Sequence, residues 1–353
     1  MKIIQIIPDF GFGGAEIMCE NLVYELLALN HEVIVLSMYD NHSEIAQRME
    51  KSGVEIRYLG KKGGFDFSMF WKMLKILKNE KPDVIHTHLY TGKYAFPAAV
   101  IAGVKRKVHT IHSIATKELG KKDRTFNKFF YKHFGVIPVA LSKEVCLTVE
   151  EEYGLPKEKI PVVLNGSSLL KCIEKTDYSV NGNFKVLHVG SFKEAKNHFG
   201  LINAFEIFNN KYPDTELNLI GYGELQSDIE KLVEKKGLSH NVNFLGKQEN
   251  VFPFLHKADI FTLPSLYEGI SLALIEAMGT GLPIVTTAVG GVPDMLNDEC
   301  AVFVSTEPQD IAGGFEKYYK DFELRHKHGT KVKAEAERFS AKKMAENYLE
   351  IYK

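Results

Sequence analysis

A chain of 353 residues is long enough for two domains of ordinary size, and its 45% hydrophobic and 25% charged content is that of a globular protein. A net charge of −1 leaves no overall field that would draw the chain to nucleic acid. Cys19, Cys146, Cys172 and Cys300 form no Cys-x-x-Cys and no regular spacing, which argues against a disulfide framework or a zinc site and suits a reducing compartment.

The first apolar run, 2–7, is stopped by Pro8 and Asp9 and is too short for a signal peptide. No later stretch reaches the roughly 18 apolar residues that span a bilayer. A cytoplasmic protein is expected. Further strand candidates in the first half are 32–37, 54–58, 83–87, 107–111, 137–140 and 160–163. Helical patterns at 14–29, 67–79, 92–102, 121–134 and 143–153 lie between them. Such alternation predicts parallel strands with crossover helices, an α/β doubly wound sheet. Residues 164–183 break the rhythm with Asn165-Gly-Ser-Ser and a second polar, turn-rich run, which marks a domain boundary. Strands then follow near 185–189, 216–220, 242–245, 258–263, 283–287 and 301–304, with helices near 197–210, 225–236, 249–256 and 271–278. Residues 310–353 read as helices. The expected division is 1–167, 168–335 and a final helix 336–353: two Rossmann-like halves with a cleft between them.

Ligands of open α/β sheets bind beyond the C-terminal ends of the strands, so the loops after strands carry the chemistry. Gly11-Phe-Gly-Gly-Ala-Glu16 follows the first strand, but Glu16 stands where a dinucleotide fingerprint needs its third glycine. Val108-His-Thr-Ile-His112 closes a later strand, and His86 and His88 share one face of the strand before it. No cysteine or clear carboxylate completes a metal set there, and no Asp-x-Asp occurs anywhere, so no metal is expected. Lys196 and Asn197 close the loop after the first strand of the second half.

The densest signal is Glu268-Gly-Ile-Ser-Leu-Ala-Leu-Ile-Glu276, a loop running into a short apolar helix. The backbone N–H groups of Ile270, Ser271 and Leu272 at the helix start suit a phosphate. A carboxylate beside a phosphate is electrostatically costly, so Glu268 and Glu276 serve better as acceptors for neutral hydroxyls on either side. That describes a seat for a sugar–diphosphate–ribose ligand. The bland alternative is a turn-capping Glu268 and a solvated Glu276.

The stretch Ser265–Pro283 resembles the Glu-x7-Glu motif of retaining glycosyltransferase family four, whose fold is GT-B: two Rossmann-like domains facing across a cleft. The likeness extends over about residues 1–310, and the C-terminal helix resembles one that returns to the first domain. It implies that the first half binds the acceptor and the second a nucleotide-sugar such as a UDP- or GDP-sugar. Gly13 and Gly14 then face donor phosphate or acceptor, and His112 the transferred sugar. Lys196 and the Ile270, Ser271 and Leu272 amides hold the diphosphate, Glu276 the ribose, and Glu268 the sugar hydroxyls. Ser191 departs from the family, where arginine is usual. The implied reaction is metal- and cofactor-independent sugar transfer to a saccharide or lipid-diphosphate-linked acceptor, with retention of configuration, as in surface polysaccharide synthesis. A nucleotide-sugar epimerase of the same fold and a non-catalytic nucleotide-sugar-binding partner are the rivals.

Charge is uneven: residues 1–170 hold 23 Lys and Arg against 19 Asp and Glu, while 104–134 alone holds nine cations against Glu118 and Asp123. The pattern at 121–134 puts Phe126, Phe129, Phe130 and Phe134 on one face with lysines around it. Such a helix either packs on the sheet or lies on an anionic membrane surface. A peripheral location on the cytoplasmic membrane face is therefore an open expectation.

Overall fold

The structure, a computed structural model, describes every residue except Phe12 and Glu249. Two compact units form: Met1–Gly166 with Ala341–Lys353, and Ser167–Ser340. The chain thus passes between units twice, the second time at Ser340/Ala341 rather than at 335/336.

In the first unit the strands are β1 (Lys2–Ile7), β2 (Glu32–Ser37), β3 (Glu55–Tyr58), β4 (Val84–His88), β5 (Arg106–Ile111) and β6 (Val136–Ala140). They form one parallel sheet in the order β3-β2-β1-β4-β5-β6. Covered by helices on both faces, the strands need near-continuous apolar runs, and β1 is buried from Ile3 to Ile7. One core lies where the Gly14–Ala28 and Ala341–Tyr352 helices meet the sheet, through Met18, Leu22, Met344 and Tyr348. A second core on the other face takes Met69, Met73 and Leu77 of the Ser68–Glu80 helix.

The expected strand at 160–163 reduces to one bridge between Ala140 and Val162. Pro161 has no N–H to donate, so Ala140 exchanges bonds only with Pro161 O and Val163 N, both at 2.9 Å. Residues 163–166 that follow belong to no helix or strand.

In the second unit, β7 (Phe184–Val189), β8 (Thr215–Ile220), β9 (Val242–Gly246), β10 (Ile260–Leu263), β11 (Ile284–Thr287) and β12 (Val302–Val304) form another parallel sheet. Its order is β12-β11-β10-β7-β8-β9, the same winding as the first. The strand order reverses between β1 and β4 in one sheet and between β7 and β10 in the other. Such switch points open a crevice at the strand ends. The motif loops after β1, β7 and β10 start there.

Candidate active site

In the second unit two loops meet at the β7/β10 switch point. Lys196 ends the single turn Glu194–Lys196 after β7, and Glu268 lies in the loop after β10. Their side chains form an ion pair, with only 17% and 9% of each exposed. Ser265 Oγ donates to the same Glu268 oxygen at 2.8 Å. At this depth each charge depends on the other, and removing one strands its partner.

The loops are tied by backbone as well. Leu266 N donates to Ala195 O at 2.8 Å, and Asn197 Nδ2 to Pro264 O at 3.1 Å. Asn197 sits at φ 53°, a left-handed position that asparagine tolerates, and its Oδ1 accepts from Gly200 N to cap the His198–Lys211 helix. Thr287 Oγ1 on β11 braces the β10 loop by donating to Ser265 O at 2.7 Å. Gly291 closes on the far side, where a Cβ would lie 2.8 Å from Gly269 O. Nothing in the sequence reading singled out Gly291; the Gly290-Gly291 pair after β11 was the available signal.

Ser191 is exposed and carries no charge, while Lys193 two residues on is exposed. Below them, His188 Nδ1 donates to Thr262 O at 2.9 Å, and its Nε2 has no hydrogen-bond partner among the described residues. Burial pushes this imidazole down to about 4, so the ring is neutral beside Lys196.

Ser271 is the N-cap of the Leu272–Thr280 helix and accepts from Leu274 N at 3.4 Å. Ile270 and Leu272 are buried beside it. Glu276, on the same helix, is half-buried rather than solvated. Its Oε1 accepts from Ser167 Oγ at 3.4 Å, and burial raises its carboxyl to about 7.

In the first unit Gly13 caps the Gly14–Ala28 helix. The Glu16 carboxylate folds back over it: a Cβ on Gly13 would lie within 3.2 Å of Glu16 Cδ. At Gly14 no atom of the described residues lies within 4 Å of the Cβ position. Glu16, which spoils a dinucleotide fingerprint, therefore satisfies the turn itself.

His112 lies at the end of a buried polar chain. Its Nε2 is 3.1 Å from His88 Nδ1, and His88 Nε2 is 2.9 Å from Gln5 Oε1. Gln5 Nε2 donates to Tyr352 OH at 3.4 Å, and that hydroxyl meets His86 Nδ1 at 2.6 Å. The amide oxygen of Gln5 only accepts, so His88 carries its proton on Nε2 and accepts on Nδ1. His112 must then donate from Nε2, which leaves Nδ1 as its acceptor. Burial holds His112 down at about 3 and His88 well below its usual range, so both rings are neutral. Glu118 Oε2 fixes the backbone by accepting from His112 N at 2.6 Å and Ser113 N at 2.9 Å. Gln5, Glu118 and Tyr352 were not anticipated. Gln5 did leave a trace, as the lone polar residue inside Lys2-Ile-Ile-Gln-Ile-Ile7.

His109 faces elsewhere, bonding Thr87 Oγ1 at 2.8 Å and packing on Phe96. Among the described residues no group of three or more His, Cys, Asp or Glu is placed to hold a metal ion.

Residues 174–335 match the family described as glycosyl transferases group 1, and residues 12–169 match glycosyltransferase family 4. The chain belongs to glycosyltransferase family four. It is 31% identical over 254 residues to the Escherichia coli UDP-Gal:alpha-D-GlcNAc-diphosphoundecaprenol alpha-1,3-galactosyltransferase, a match covering 66% of this chain but only 65% of that protein. It is 26% identical to the Staphylococcus aureus capsular polysaccharide biosynthesis glycosyltransferase CapH, covering 78% of each. Anabaena HepE, crystallised with UDP and glucose, superposes with a TM-score of 0.86 at 18% identity, covering 99% of this chain and 98% of that one. The fold of this family-four chain is therefore GT-B, with the two parallel sheets as its halves.

Proposed function

We propose that the protein transfers a sugar from a nucleotide-sugar, with UDP or GDP as the nucleotide, to a saccharide or lipid-diphosphate-linked saccharide. The single observation that carries this reading is the buried Lys196–Glu268 pair at the β7/β10 switch point, next to the start of the Leu272–Thr280 helix. A cation there neutralises charge developing on a leaving nucleoside diphosphate. Backbone N–H groups at the helix start hold the diphosphate, Glu276 accepts from ribose hydroxyls, and Glu268 accepts from hydroxyls of the sugar. His112 offers Nδ1 as an acceptor to that sugar. Gly13 and Gly14 border the acceptor or donor phosphate.

None of these side chains needs to act as a covalent nucleophile. The acceptor oxygen attacks the anomeric carbon on the face that the diphosphate leaves, and the leaving phosphate oxygen takes the hydroxyl proton, which retains configuration. The reading requires no metal: Lys196 and the helix start supply the positive field. The name of the E. coli relative supports a lipid-diphosphate-linked acceptor, and that of the S. aureus relative supports a role in capsular polysaccharide synthesis.

A thermal-shift panel of nucleotide-sugars, followed by product detection with saccharide acceptors, tests the reading. One donor should raise the melting temperature and then yield free nucleoside diphosphate only when acceptor is present. Sugar isomerised with donor alone would make the protein an epimerase. Donor binding without turnover on any acceptor would make it a binding partner, with Ser191 in place of arginine as the reason to look.

A further inference from the structure

The helix that the sequence offered as a membrane contact is committed to the protein along one side, while Phe129 on its aromatic stripe stays exposed. In Lys121–His133, Phe130 and Tyr131 enter the core. Arg124 binds Glu152 and the carbonyls of Thr116 and Leu119, and Lys128 donates to Glu152 O.

A different surface of the same unit is not committed. Between β3 and the Ser68–Glu80 helix the chain leaves Phe65 72%, Phe67 58% and Trp71 58% exposed. Phe67 and Trp71 pack on each other and on Phe70, a half-buried ring whose inner side rests against the core. Phe70 lies 5.6 Å from Phe67 and 4.9 Å from Trp71, and Phe67 lies 6.3 Å from Trp71. Phe65 stacks on Tyr94 at 5.5 Å. The inner face of the helix, Met69, Met73, Leu74 and Leu77, is buried, so the aromatics occupy its outer side and first turn.

The same loop and helix carry exposed lysines. Lys62, Lys72, Lys75 and Lys78 are all exposed, and among the described residues none of the four has an ion pair. Lys72 donates to Leu59 O at 2.6 Å, which orders the side chain without cancelling its charge. The one nearby acid on the loop, Asp66, is occupied by Lys62 N and by Ser68 N and Oγ.

We propose that Phe65, Phe67, Phe70 and Trp71, with the exposed lysines of the same loop and helix, form a docking surface for an anionic phospholipid bilayer. Aromatic rings settle at the headgroup level, and each lysine near an anionic leaflet adds attraction that salt screens. A second copy of this chain fits poorly, because a two-fold contact would press one set of lysines against another. The proposal deepens the reading of a lipid-diphosphate-linked acceptor, which explains why the unit would need a membrane. Its test uses neither donor nor acceptor and so stands apart from that reading.

Trp71 is the only tryptophan in the chain, so its fluorescence reports this surface alone. The full-length protein is mixed with vesicles of phosphatidylglycerol and phosphatidylcholine, and with phosphatidylcholine alone. On the anionic vesicles the Trp71 emission should shift to the blue and be quenched by lipids brominated along the acyl chain. Raised salt should reverse both effects. In co-sedimentation, Phe65→Ser with Phe67→Ser, and separately Lys75→Glu with Lys78→Glu, should each weaken partitioning at least about tenfold. These positions are exposed, so melting temperatures should hold. Lys121→Glu with Lys122→Glu should change little. The proposal is overturned by vesicle binding with unchanged Trp71 emission, by binding lost only in the Lys121/Lys122 variant, by equal binding to neutral vesicles, or by no binding at low salt. A dimer in sedimentation velocity that Phe67→Ser dissolves would overturn it in favour of self-association.

Discussion

At the scale of single residues, the chemistry depends on charges held at unusual depth. Lys196 and Glu268 are both mostly covered, so each stabilises the other in the unliganded protein. Lys196→Ala should cut kcat by roughly a hundredfold or more, as loss of one electrostatic stabiliser does, and should lower stability because Glu268 is left unpaired. Near-normal turnover in that variant would remove Lys196 from the mechanism. Glu276 behaves differently. Burial raises its carboxyl to about 7, above its ordinary 4.5, so the folded protein binds this proton more tightly than the unfolded chain. The stability it contributes is full below the ordinary value and lost as pH rises through about 7. As a ribose acceptor it works better ionised. Affinity for the nucleotide-sugar, measured by calorimetry, should therefore rise as pH passes about 7. Glu276→Gln should bind roughly tenfold more weakly and flatten that pH dependence. The Glu268–Glu276 spacing was legible in the sequence, and so was the lysine. That Glu268 and Lys196 pair with each other was not, because 72 residues separate them and only the sheet brings them together.

At the scale of elements, the strand–helix alternation was readable almost throughout, since strands covered on both faces must be apolar and their helices amphipathic. The run at 160–163 misled because β-branched, apolar residues were there but Pro161 removed a donor. The stretch at 121–134 was rightly helical, yet its aromatic face alone could not say whether sheet or solvent covered it. Asn197 shows how an element sets the site: it takes a left-handed turn, caps the next helix and ties the β7 loop to the β10 loop. Asn197→Ala should cost about 1–3 kcal/mol in urea unfolding, through the lost cap and a strained φ. Asn197→Gly relieves the strain and should recover part of it. Equal losses in the two variants would assign the whole effect to the side-chain bonds.

At the scale of the molecule, the chain returns to its first unit through the Ala341–Tyr352 helix. Met344, Tyr348 and Tyr352 fill a core there, and Tyr352 closes the polar chain that runs through Gln5 and His88 to His112. A chain ending at Ser340 should lose on the order of 5 kcal/mol in the first unit from those three side chains. Residues 167–340, which have their own core and sheet, should still melt cooperatively as a separate fragment. A truncated chain with an unchanged melting profile would contradict this. The sequence by itself determined the two-fold repetition of the α/β pattern, its interruption over 164–183 and the family, because periodicity and short motifs are local properties. Only the tertiary structure decided which charges pair, which imidazole nitrogen of His112 donates, and which aromatics stay outside. Those follow from contacts between segments far apart in the chain: Gln5 with Tyr352, Lys196 with Glu268, and a core that takes Phe130 but leaves Phe67 and Trp71 in solvent.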